Sequence, residues 1–153
     1  MNNVISPIGA GEIRRRGYLN PFDTHIGIKR FDSTGEGIKS IADTSEVTSN
    51  IHGTVHGGWS SANLDATSVG AVYNDREKGL KDDEYGVTAL LDVKFKNPAF
   101  LGETYDCDAK VVSREGNDIK TFAVIRNSNG VEIASARGLI KARKLDYDPI
   151  IAA

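Results

Sequence analysis

The reading of this 153-residue chain turns on Asn50-Ile-His52-Gly53-Thr-Val-His56-Gly57-Gly58-Trp59-Ser-Ser-Ala-Asn-Leu-Asp65. It sets a glycine-softened loop with two histidines against the start of a mostly apolar helix, and then places one carboxylate in that helix. From Trp59 to about Tyr73 there is no proline, and Trp59, Ala62, Ala66, Val69 and Tyr73 recur at three- and four-residue spacings, the helical signature. At about 100° per residue they form a stripe roughly 80° wide, with Asp65 about 40° outside it, between Val69 and Val72. Ser60, Ser61, Ser68, Gly70 and Ala71 are small, so other backbone can approach the helix on more than one side. A carboxylate on a helix buried in this way needs a partner or a task.

Gly57-Gly58 precedes the helix, where free backbone N–H groups and the helix dipole favour developing negative charge. His56 therefore stands at an anion-friendly helix mouth. Asp65 lies nine residues further on, roughly 13 Å along the axis and about half a turn out of phase. One helix cannot bring both to one reacting atom. A single site using His56, Gly57 and Asp65 must take its carboxylate from a second copy of the chain, which predicts a homodimer or larger assembly.

The whole-chain composition narrows the class. With 39% hydrophobic and 26% charged residues the chain reads as one globular domain. A formal net charge of −2 with dispersed Lys and Arg leaves no footprint for nucleic acid. The one basic cluster, Arg14-Arg15-Arg16, reads as a solvated helix face. A single cysteine, Cys107, excludes an intrachain disulfide framework, and no signal peptide or membrane-spanning run is visible, so the expected address is the cytoplasm.

In chain order, residues 1–22 read as an N-terminal extension with a short helix around Glu12 to Tyr18 and a stop at Asn20-Pro21. Thr24 to Phe31 and Gly37 to Val47 read as a strand hairpin. After the helix, Asp75 to Glu84 carries eight charged residues and reads as a solvated loop. Val87, Ala89, Leu91, Val93 and Phe95 alternate with Thr88, Leu90, Asp92 and Lys94, a strand of period two. Three more strands are expected over Thr104 to Ser113, Ile119 to Arg126 and Val131 to Arg143, the middle two turns being Glu115–Asp118 and Asn129-Gly130. In the last strand Ala134, Ala136 and Gly138 share a face and leave room for a helix. Residues 144–153 read as a surface tail. The architecture is therefore α+β, a mostly antiparallel sheet of five or six strands curled around one central helix, with the domain proper over residues 23–143.

Two runs carry a family resemblance: Asn50-x-x-Gly53-x-x-His56-Gly57-Gly58 with Asp65 beyond it, and Gly86-Val-Thr88 opening a strand to Phe95, followed by Asn97-Pro98 and Leu101-Gly102-Glu103. Over roughly Thr24 to Arg143 the chain resembles the hotdog-fold acyl-CoA thioesterases, in particular their PaaI-like branch. The resemblance implies a dimer, or dimer of dimers, with sites at the subunit interface, and hydrolysis of an acyl-CoA thioester without cofactor or metal. It implies that the Gly57 N–H polarises the thioester carbonyl with Asn50 assisting, and that His56 sits near the sulfur. Asp65 of the other subunit then serves as general base or nucleophile, with Thr88 orienting its water. Gly58 and Trp59 are expected to contact substrate. If Trp59 lines the acyl tunnel it shortens it, which points to a short-chain or aromatic acyl group. Alternatives are an acyl-CoA binding or sensing module without turnover, a carrier-protein thioesterase, and an acyl-thioester dehydratase or hydratase.

The remaining histidines have plainer readings. His52 and His56 are four apart, but Gly53, Thr54 and Val55 disfavour a helix between them and no third metal ligand stands at a recognisable spacing. His52 reads as structural and His25 as an ordinary strand residue. Asn50 reads equally well as a turn residue. Trp59 and Tyr73 suit a core.

Overall fold

A computed structural model describes residues 9–145. The elements are α1 (Ala10–Arg16), α2 (Pro21–His25), β1 (Ile28–Ser33), β2 (Ile38–Asp43), a 3-10 turn (Glu46–Thr48), α3 (Gly57–Asn74), β3 (Glu84–Phe95), β4 (Thr104–Glu115), β5 (Asp118–Arg126) and β6 (Glu132–Lys144). The six strands form one antiparallel sheet in the order β1-β2-β4-β5-β6-β3. Helix α3 touches all six strands, so the sheet wraps around it, as the sequence predicts for the hotdog fold. Ala134 and Ala136 on β6 are fully buried, and such small side chains let the helix lie close to the sheet. Tail residues 146–153 lie outside the described residues.

The face of α3 that meets the sheet is only partly the apolar stripe, whose two ends, Trp59 and Tyr73, are buried, with Trp59 edge-on to Tyr105 of β4. Ser60, Asn63, Leu64, Thr67 and Ala71 are buried, whereas Ala62, Ala66 and Val69 of the stripe are half-buried. Of the polar members, Asn63 and Thr67 bond to each other and to the sheet, while Asn63 Nδ2 is buried without a partner among the described residues. Ser40 Oγ on β2 lies 2.9 Å from Asn63 Oδ1 and 2.8 Å from Thr67 Oγ1, and Thr67 Oγ1 donates to the Asn63 carbonyl at 2.7 Å. Ala62, Ala66 and Val69 of the stripe pack at the margins of the buried core, as do Ile13 and Tyr18 of the N-terminal segment.

That segment departs most from expectation. Asn20-Pro21 starts a helix rather than stopping one: the Asn20 side chain accepts from the Asp23 N–H at 3.0 Å as N-cap, and Pro21 takes the first helical position, where its missing N–H costs nothing. Thr24 and His25 are consequently helical, and the strand starts only at Ile28. The second strand ends at Asp43 for a related reason, since Ser45 and Thr48 form a reciprocal capping box that opens the 3-10 turn. Arg14 is not a solvated charge: its side chain is 9% exposed and donates to the Tyr73 carbonyl at the end of α3, to the Leu80 carbonyl and to Asp82. It satisfies C-terminal helix carbonyls and favours the negative end of the dipole. The charged segment after α3 is anchored by buried Leu80, and Glu84 already belongs to β3, where Arg114 pairs with it at 3.0 Å.

Strand β3 does not keep a strict period of two. Its register against β6 shifts between Thr88 and Leu90, so Ala89 is an extra residue bulged out of the ladder. Uninterrupted alternation puts Thr88 on the face opposite Leu91 and Val93. The bulge puts all three on the helix side, where Leu91 and Val93 pack against the core. On its other flank β3 has no neighbour among the described residues; Val87 and Leu90 are exposed on the face away from the helix, and Phe95 is exposed on the helix side with its ring beside Gly57.

Candidate functional site

The first turn of α3 is built by His56. As N-cap it has an extended backbone (φ −66°, ψ 136°), and its Nδ1 accepts from the Gly58 N–H at 2.8 Å while its carbonyl accepts from the Trp59 N–H at 2.9 Å. A side chain at Gly58 would place a Cβ 2.8 Å from that ring nitrogen, so the second glycine is required by the close approach of the imidazole. Because Nδ1 accepts, the neutral ring carries its proton on Nε2. The expectation that Gly57 and Gly58 both offer free N–H groups is halved. The Gly58 donor is spent on His56, and Gly57 keeps an N–H with no acceptor among the described residues. It is one hydrogen-bond donor at the positive end of an 18-residue helix.

Asn50 organises the approach to this turn. Its Oδ1 accepts from the His52 and Thr54 N–H groups at 2.9 and 3.1 Å, and its Nδ2 donates to Thr54 Oγ1 at 2.8 Å. Its side-chain amide is occupied inside the loop, the work of a turn residue. The His56 N–H is fixed in turn to the Thr48 carbonyl at 2.8 Å. His52 is exposed, with its backbone N–H serving the Asn50 turn.

Asp65 is half-buried, two turns into α3, and Thr88 Oγ1 donates to its Oδ1 at 2.7 Å. The other carboxylate oxygen has no hydrogen-bond partner among the described residues. A second carboxylate, which the sequence reading did not single out, stands nearby. Asp23 on α2 is 4% exposed, and Asn20 Nδ2 donates to its Oδ2 at 2.7 Å. Burial pushes its carboxyl up to about 6; a backbone hydrogen bond from Asn20 opposes that rise and the charge of Asp65 adds to it. Cys107 is no nucleophile, because full burial pushes its thiol up to about 12.

Trp59 is buried, with Nε1 donating to the Ile26 carbonyl at 2.8 Å and its ring edge-on to Tyr105, centroids 5.6 Å apart. One wall of the indole still reaches a cleft of about 270 Å³ beside His56 and Gly58. His25, the last residue of α2, is exposed on the rim of this cleft rather than lying in a strand. A larger concavity of about 640 Å³, at the far end of α3, is walled by charged loops and includes neither His56 nor Asp65.

The structure thus joins Thr88 to Asp65 and His56 to Gly58, and keeps these two pairs on separate turns of one helix. The residues that sequence reasoning missed, Asp23 and the cleft-lining Phe22 and Ile26, sit on α2 or, for Ile26, at its C-cap. The signal for α2 was present as an Asn-Pro pair with Asp three residues after the Asn, a helix-start pattern.

No helix among the described residues is long and apolar enough to cross a membrane. No curated protein is a significant match to the chain. Solved structures share its fold. A thioesterase of Haemophilus influenzae superposes with a TM-score of 0.74 at 19% identity, over 84% of this chain and 87% of that one. The PaaI protein from the phenylacetic acid degradation operon of Escherichia coli gives a TM-score of 0.69 at 20% identity, over 86% and 92%. A Streptococcus mutans protein bound to acetyl-CoA gives 0.64 at 17% identity, over 76% and 90%. The profile of the thioesterase superfamily matches residues 52–134, a span that opens just before the helix mouth, contains Asp65 and Thr88 and exceeds half of the sequence. The chain belongs to the thioesterase superfamily.

Proposed function

We propose that the protein hydrolyses an acyl-CoA thioester to free acid and CoA, with a short-chain or aromatic acyl group, in a homodimer whose sites are shared between subunits. The observation that carries this reading is the Thr88–Asp65 bond of 2.7 Å on an unpaired sheet edge, combined with a free Gly57 N–H at the mouth of the same helix. Gly57 and Asp65 are eight residues apart on α3, about 12 Å along its axis, so they serve one thioester only across a two-fold axis. Strand β3 suits that axis: twelve residues long and without a neighbour on one flank among the described residues, it can pair with its own copy.

In this scheme the Gly57 N–H takes the carbonyl oxygen and stabilises it as it becomes an oxyanion, helped by the dipole of α3. Asp65 of the opposite subunit, held by Thr88, activates water or attacks the carbonyl directly. His56 donates its Nε2 proton to the departing sulfur in this scheme. Asn50 shapes the loop that delivers His56. The acetyl-CoA held by the Streptococcus mutans relative supports CoA as the carrier.

Mixed subunits test the shared site. Asp65→Asn removes the carboxylate, and Gly57→Pro removes the N–H at a position where the helix accepts proline and where His56 is already extended. Each variant alone is expected to be inactive in thiol release from acyl-CoA. Equal mixtures, unfolded and refolded together, should recover about a quarter of wild-type turnover, because one site in four regains both groups. No recovery in refolded heterodimers contradicts a site shared in this way.

A further inference from the structure

The cleft beside His56 is walled by a part of the chain that lies outside the matched family segment. Phe22 comes from α2 and Ile26 from its C-cap, Val47 from the 3-10 turn, and Trp59 and Ala62 from α3. Two of these walls are unusual: the Phe22 side chain is 60% exposed and Val47 65% exposed, each carrying apolar surface that the fold itself does not bury. Helix α2 is not loosely placed, since its C-cap is tied to α3 by the Trp59 Nε1 bond to the Ile26 carbonyl.

We infer that α2 and the 3-10 turn form the acyl-selecting pocket, in which Phe22 and Val47 close over an aromatic or short acyl group resting on Trp59. This rests on the hydrolase reading for the placement of the thioester at the helix mouth, and it goes beyond that reading by assigning specificity to residues outside residues 52–134. Three features select the acyl end of the substrate over its CoA end. The walls are predominantly apolar, as ligand pockets for apolar groups are. Neither Lys nor Arg lines the cleft, so the phosphates of CoA find no cation there. The volume, about 270 Å³, lies just below the usual range of roughly 300–1,000 Å³ for drug-sized ligands, enough for a ring or a short chain and too little for a long one. His25 and His56 stand at the rim, where the polar thioester enters.

Trp59 is the only tryptophan of the chain, so its emission reports directly on the cleft. The test uses Asp65→Asn protein, which holds substrate without turning it over, titrated with phenylacetyl-CoA, octanoyl-CoA and free CoA. Phenylacetyl-CoA is expected to shift or quench the Trp59 emission, and free CoA to leave it unchanged. In the otherwise wild-type enzyme, Phe22→Ala and Val47→Ala should each lower the kcat/KM ratio of phenylacetyl-CoA to octanoyl-CoA by about tenfold or more, the scale of removing apolar contact from a specificity pocket. An equal response to free CoA, silent emission while calorimetry detects phenylacetyl-CoA binding, or a uniform loss over all acyl groups overturns the inference. If wild-type protein hydrolyses nothing yet phenylacetyl-CoA shifts Trp59, the hydrolase reading fails and the acyl pocket stands.

Discussion

Thr88 Oγ1 donates to Asp65 Oδ1 at 2.7 Å, across the gap between the edge strand and the central helix, and it reaches that position through the bulge at Ala89. A charge-assisted bond of this type is worth about 1.5–3 kcal/mol. Thr88→Ala is therefore expected to lower kcat by roughly 10- to 150-fold with little change in KM, while Thr88→Ser keeps most of the rate. Steady-state kinetics on both variants check this. A loss confined to KM contradicts the role.

Asp23 makes stability depend on pH. Its folded carboxyl titrates at about 6, above its ordinary 3.8, so the folded state favours the protonated form. The corresponding stability is fully present below about pH 4 and is lost as pH rises through about 6. Asp23→Asn, which mimics the protonated form, should match wild type at pH 3.5 and exceed it by about 1–3 kcal/mol at pH 7.5. Urea unfolding across this range measures it, and a difference independent of pH contradicts it.

Arg14 clamps the end of α3 through the Tyr73 and Leu80 carbonyls and Asp82. Removing it leaves buried carbonyls without a donor, so Arg14→Ala should cost about 1–3 kcal/mol of stability in urea unfolding. Turnover of the folded protein should be unchanged, because Arg14 lies at the opposite end of α3 from Gly57.

The exposed edge of β3 predicts the assembly. Leu90→Lys places a charge where Leu90 is 57% exposed in the isolated chain and where a second copy would cover it. Sedimentation velocity should show the variant as a monomer and the wild type as a dimer or dimer of dimers, and thiol release should fall with the dissociation. A monomeric wild type with full activity contradicts the shared site.

How legible these features are in the sequence depends on what fixes each of them. The central helix, the strands over residues 84–144 and the wrapped sheet follow from local periodicity and turn residues, which do not depend on distant partners. The position of Asp65 on α3 was legible for the same reason. The bulge at Ala89 was not, because Val87 to Phe95 alternates in the sequence and a single register shift against β6 reverses half of it. The polar face of α3 was hidden because Asn63 and Thr67 are buried only by virtue of Ser40, 23 and 27 residues away. Helix α2 is five residues long, too short for periodicity, and only its cap announces it. The spending of the Gly58 donor on His56 depends on one rotamer that no spacing rule specifies.

The most direct measurement is thiol release from a panel of acyl-CoAs, acetyl through benzoyl and phenylacetyl to palmitoyl, by wild type and by Asp65→Asn. Wild type should hydrolyse short-chain or aromatic members in preference to palmitoyl-CoA, and Asp65→Asn should fall by about two orders of magnitude or more, the usual scale for losing a general base. Hydrolysis that survives Asp65→Asn, or a panel on which bound acyl-CoA is never cleaved, contradicts the assignment of a thioester hydrolase centred on Asp65.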